Sequence, residues 1–224
     1  MNHFTKKKSE QSKKVIIPRG LETLIAEGEG EMLDYKKEIT SVHKIAKTIT
    51  SFSNHKGGKI LVGVNDNKTI SGIRSEEEKF MLQQAAENYC QPVVELKYKE
   101  WHCGKKSVLE VMVEEGAKKP YYAIDENGKR WVYIRIQDQT VLASKVWVDV
   151  LKKNNSENPL LIRYTSKEKE LLQYLTTHQQ ITLKQYCSLL NISRWRAIRI
   201  LSNLISVGVI RVTVGNNGEY YTLA

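Results

Sequence analysis

The stretch GGKILVGVND, Gly57 to Asp66, decides the fold of the first part of this 224-residue chain. From Lys59 to Asn65 it is short, β-branched and almost continuously apolar, which marks a strand buried on both faces rather than one with a wet side. Such a strand needs a packed layer on each face, and helical spacing nearby supplies candidates. Upstream, Val42, Ile45, Ala46, Ile49 and Phe52 predict a helix over Thr40 to Asn54, capped by Thr40 or Ser41. Downstream, an acidic first turn and the spacing of Phe80, Met81, Leu82, Ala85 and Ala86 predict another over Glu76 to Cys90. Gly57 and Gly58 permit positive φ and close backbone approach, and Gly63 inside a buried strand signals something packed tightly on it.

Outward from this core, Leu21 to Ala26 reads as a short helical turn stopped by Gly28 and Gly30, and Glu31 to Lys36 as a first strand. Strands are expected at Val93 to Lys99, Ser107 to Val113 and Trp131 to Ile136, with Pro120 to Asp125 as a further candidate. A helix from Leu142 to Lys152 closes the unit. Residues 21–152 are therefore expected to form an α+β domain around a mixed sheet, preceded by a basic flexible arm at 1–20 and followed by a polar linker at 153–159.

Residues 160–224 are expected to form a second, smaller domain. Ser166 is expected to cap a helix to about His178, with Leu171, Leu172 and Leu175 inward and Lys167, Glu168, Lys169 and Glu170 outward. Thr182 caps Leu183 to Leu190, a tight turn at Asn191-Ile192-Ser193 leads to a third helix from Arg194, and Gly208 ends it. Val209 to Val214 and Glu219 to Leu223 alternate as strands around Gly215-Asn216-Asn217-Gly218, a hairpin pattern.

The formal net charge is +10, and its distribution matters more than its size. Residues 1–20 carry six Lys/Arg against one acid, residues 21–150 are close to neutral, and residues 151–224 carry an excess of six positive charges. Clustered positive charge suits a polyanion, because each neutralised phosphate releases condensed counterions. No apolar run approaches the roughly 20 residues of a membrane span, and the first residues lack a secretory apolar stretch, so a cytoplasmic protein without a membrane partner is expected. Cys90, Cys103 and Cys187 form neither a CxxC nor a finger pattern and are read as reduced thiols.

The C-terminal order, helix, helix-turn-helix and β-hairpin, resembles the winged helix-turn-helix family over residues 160–224. The resemblance implies that the third helix, RWRAIRILSNLISVG from Arg194, enters the major groove of duplex DNA while the hairpin touches the backbone. With Ala197, Leu201, Leu204 and Ile205 inward, Arg194, Arg196 and Arg199 face outward and can pair with phosphates or guanine edges. Lys184 and Asn217 are candidate backbone contacts. Trp195 is read as a partly buried or interdomain anchor in preference to a base-stacking group.

The run EGEGEMLDYKKEIT at 27–40, then IAKTITSFSNHKGGKILVGVNDNKTISGI at 45–73 and KKPYYAIDENGKRWVYIRIQDQTVLAS at 118–144, resembles the Schlafen-type AlbA-like domain. The resemblance covers about residues 21–150 and implies a nucleic-acid-binding fold. No GxxxxGK[ST] accompanies it, so an ATPase reading has no phosphate-binding loop. Lys56 and Lys59, beside the paired glycines, are candidates to hold a phosphate or to sit in solvent. Arg135 is a candidate phosphate contact or an internal partner of Asp34.

Some animal Schlafen proteins are endoribonucleases, and the positions similar to their acids are Glu29, Asp34 and Asp66. If all three converge, they could hold Mg²⁺ or Mn²⁺; otherwise no cofactor is expected. Asp34 and Asn65 depart from the family pattern, and so do Gln137 and Asp138. The leading expectation is a DNA-binding transcriptional regulator, with a homodimer suggested by the two-fold symmetry of duplex operators. A metal-dependent RNA nuclease is the alternative.

Overall fold

The computed structural model describes residues 17–156, 164–215 and 218–224, with the side chain of Ser75 left aside. Its first sheet has the order β1-β2-β5-β4, built from β1 (Leu33–Lys36), β2 (Gly58–Val62), β4 (Leu96–Cys103) and β5 (Lys106–Val113). β1 runs parallel to β2, and the other pairs are antiparallel. Both faces of β2 are covered, as its unbroken apolar run requires. Ile60 and Val62 pack into a cluster with α2 (Val42–Asn54) and α3 (Ser75–Asn88), while Leu61 joins Leu21 and Ile25 of α1 (Arg19–Glu27) on the opposite side. Two glycines make this possible. A Cβ on Gly58 would stand 2.5 Å from the Phe52 ring, and Gly63 combines φ +94 with a hypothetical Cβ 2.9 Å from Ile73.

Side-chain period decides α3 differently from the expectation. Leu82, Ala85 and Ala86 face the core, but Phe80 is 67% exposed. Five apolar residues within one short window span more of a helix circumference than one packing stripe can cover, so one of them had to face outward.

The second sheet has the order β3-β6-β7-β8, from β3 (Cys90–Gln91), β6 (Tyr122–Ile124), β7 (Arg130–Ile136) and β8 (Gln139–Leu142). β3 and β8 lie where no strand was expected, and Leu142, expected to begin a helix, ends β8 instead. A turn at Gln137, with φ 54, folds β8 back on β7. α2 is packed between the two sheets, which explains why its Thr- and Ser-rich inner residues are buried. Such hydroxyls and amides call for partners there, and the Ser53 hydroxyl is one that finds none among the described residues. Thr50 donates to the Ala46 carbonyl, and Ser51 meets Thr140 of β8. Asn54 donates to the carbonyls of Tyr121 and Tyr133 and accepts from the Tyr121 N–H at 2.7 Å. Asn54→Ala leaves those backbone groups unpaired, so a urea melt should show a loss of about 2–4 kcal/mol.

The C-terminal part consists of α5 (Ser166–His178), β9 (Gln180–Ile181), α6 (Leu183–Leu190), α7 (Arg194–Ser206), β10 (Ile210–Gly215) and β11 (Gly218–Leu223), with a three-stranded sheet of order β10-β11-β9. The cap of α5 is Thr165, one residue before the expected Ser166. Thr165 and Glu168 form a reciprocal capping box, and that duty buries Glu168, which was expected outward. Thr182 caps α6 with the same device through Gln185.

Between the two parts, α4 (Lys145–Asn154) contributes to both cores. Val146 and Val150 pack with Leu171, Ile198 and Leu201, whereas Leu151, Trp147 and Val148 cover Val132 and Ile134 of β7. Because α4 lies against α7, Ile198 and Ile200 are buried beside the expected Ala197, Leu201 and Leu204. Among the described residues no helix is long and apolar enough to cross a membrane.

Candidate nucleic-acid interface

The geometry of α7 begins with the turn that precedes it. Asn191 takes a left-handed conformation at the end of α6, and the Ser193 hydroxyl then accepts the Arg196 N–H at 3.3 Å to start the next helix. Ala197, Leu201 and Leu204 anchor the inner face. That anchoring turns Arg194, Arg196 and Arg199 into solvent, where each is exposed and none has an acidic partner among the described residues. Three unpaired guanidiniums within the first half of one helix form a cationic ridge.

Trp195 does not anchor the interior. It is 67% exposed, and the Arg199 guanidinium carbon lies 4.9 Å from its ring centroid. The four-residue spacing puts the two side chains one above the other on a helix surface, a signal present in the sequence. At the far side of α7, Lys153 of α4 reaches the Ser202 hydroxyl. Burial there holds the Lys153 ammonium below its ordinary value, with Asp149 opposing and Arg199 reinforcing the shift. No sequence motif pointed to Lys153, because its surroundings come from a helix some fifty residues away. Lys184 is exposed in the first turn of α6, and Asn217 lies outside the described residues.

Around the paired glycines the candidates separate. Lys56 is exposed in the turn after α2. Lys59 instead meets buried Glu110 at 2.7 Å, and the Trp101 indole N–H donates to the other Glu110 oxygen at 2.8 Å. A buried carboxylate needs such compensation, so Lys59 is held as an internal counter-ion.

Arg135 is 1% exposed and cannot reach an external phosphate; of its two sequence readings, the internal one fits. Its Nη2 donates to Asp34 Oδ1 at 2.9 Å and to the Leu33 carbonyl at 3.1 Å. Nε donates to the Gly30 carbonyl, and the guanidinium lies over the Phe52 ring. Lys36 supplies a second cation to Asp34.

The three candidate acids accordingly do different things. Asp34 is buried and committed to Arg135 and Lys36. Glu29 is exposed and accepts the Tyr35 N–H at 2.8 Å, closing the turn before β1. Asp66 is exposed in the turn after Val64, which Lys68 ties to the Ala26 carbonyl at the end of α1. Among the described residues no group of three or more His, Cys, Asp or Glu side chains is arranged to hold a metal ion. The trio thus does not fit Mg²⁺ or Mn²⁺, because its central member already has its positive charge from the protein. The cysteines are free, and burial pushes the Cys90 thiol up to about 12, away from reactivity.

Residues 29–144, just over half of the chain, match the family described as Schlafen, AlbA_2. Among solved structures, the DIP2311 protein from Corynebacterium diphtheriae is similar at 13% identity and a TM-score of 0.46, over 91% of this chain and 42% of that one. The chain therefore spans less than half the length of that protein. The N-terminal domain of a RecG-related protein from Nitrosomonas europaea is similar at 21% identity and a TM-score of 0.40, over 56% of this chain and 92% of that one. No curated protein matches the chain.

Proposed function

We propose, from the premise that the chain belongs to the Schlafen, AlbA_2 family, that it is a nucleic-acid-binding protein and acts as a DNA-binding transcriptional regulator. In this reading residues 160–224 are a winged helix-turn-helix, α7 enters the major groove, and the β10–β11 hairpin is the wing. The observation that carries it is the ridge of Arg194, Arg196 and Arg199, exposed and without carboxylate partners among the described residues. Exposed guanidiniums that the protein leaves unpaired remain available to phosphates and to the acceptor edge of guanine. In this reading the AlbA-like domain supports the reader helix through α4, whose residues join the core of each part. A two-fold assembly on a duplex operator is part of the proposal.

Titration of a mixed-sequence duplex across about 50 to 200 mM salt tests it. Log affinity should fall linearly with log salt, with a slope close to the number of phosphates contacted. Absence of binding at the lowest salt, or binding indifferent to salt, would refute the reading.

A further inference from the structure

Beyond duplex binding, we infer that Trp195 and Arg199 act as one stacked unit that recognises a C5-methyl group on a pyrimidine next to a guanine. The inference rests on the duplex reading above and deepens it. Arg199 sits one turn after Trp195, with its guanidinium carbon 4.9 Å from the indole centroid. Contact with the indole limits where the guanidinium can go, and no hydrogen bond from its N–H edge is made among the described residues. In the major groove that edge matches O6 and N7 of guanine, which accept two parallel hydrogen bonds.

The indole has a different requirement. It is 67% exposed in the middle of a cationic ridge, where polar side chains would serve phosphate contact better. Its only polar atom is one N–H, so most of what it offers a partner is apolar area. The major-groove edge presents one apolar substituent, the pyrimidine C5-methyl group. Successive bases are separated by about 3.4 Å along the duplex, a spacing that lets two stacked side chains address neighbouring positions. Electrostatic complementarity of Arg194 and Arg196 to the flanking phosphates would hold the pair in the groove.

Thymine and 5-methylcytosine carry the same methyl group, and the test separates them. The wild-type chain first selects its preferred site from a random duplex library. Deoxyuridine then replaces thymine at the position beside the contacted guanine; in a second duplex 5-methylcytosine replaces cytosine there. Loss of the methyl group should weaken wild-type binding about threefold to tenfold. Trp195→Phe should retain the discrimination, and Trp195→Ala should abolish it while still binding DNA.

Sensitivity to uracil alone assigns thymine, and sensitivity to cytosine methylation alone assigns 5-methylcytosine. Indifference to both methyl groups, or discrimination that survives Trp195→Ala, overturns the inference and leaves duplex binding standing. A wild-type chain that binds no duplex at low salt overturns the functional reading and this inference together.

Discussion

Arg135→Met should lower the unfolding free energy by about 3–5 kcal/mol, seen as an earlier midpoint in urea with little change in slope. Methionine can fill much of the space under Phe52, so the loss isolates the polar role of the guanidinium. That group bonds Asp34, the Leu33 and Gly30 carbonyls and Thr140, tying β1 and the turn before it to β7 and β8. Its removal leaves a buried carboxylate with Lys36 as the remaining cation and the Gly30 carbonyl without its donor, while the Leu33 carbonyl keeps the Gly30 N–H, which is why truncating one partner of a buried pair is so costly. The double variant Arg135→Met with Asp34→Asn should recover part of the loss, because the uncompensated charge goes with it. If Arg135→Met unfolds at the wild-type midpoint, the buried pair does not stabilise the fold in the way the geometry requires.

The second large effect is expected on binding. Changing Arg194, Arg196 and Arg199 together to Gln should weaken duplex affinity on the order of 100-fold near 100 mM salt and reduce the salt slope by up to about three. All three are exposed and outside any ion pair among the described residues, so thermal unfolding should be nearly unchanged. The pairing of those two results is what makes the experiment informative. A binding loss accompanied by unfolding would point to damage, and unchanged affinity would remove α7 from the interface.

Elements whose pattern is local were legible in advance. The buried strand β2, the amphipathic α2 with its cap at Thr40 or Ser41, the cap Thr182, and the hairpin of β10 and β11 all follow from periodicity and turn chemistry within a few residues. The outward course of the α7 arginines was legible for the same reason, since apolar residues at helical spacing fix which side faces in. Several misreadings occurred where the deciding contact lies far away in the chain. The two-residue strand β3 carries too little pattern to announce itself and exists because β6 lies beside it. Lys59 looks like a surface cation until Glu110 is brought to it across 51 positions of chain, and the two readings of Arg135 separate only when Asp34 is brought to it across 101. Trp195 looks like core because indoles often are, and no local rule says that the core is already full.

Taken alone, the sequence determined the two-sided burial of β2, the positive charge of residues 151–224 and the outward face of α7, because each depends on neighbours within a turn or a strand. Tertiary structure decided which charges are spent inside and which remain for a partner. Burial is a property of the packed chain, and an ionic group takes its role from whatever opposite charge the fold places within reach. Arg135 and Lys59 were consumed in that way, whereas Arg194, Arg196 and Arg199 were left to solvent.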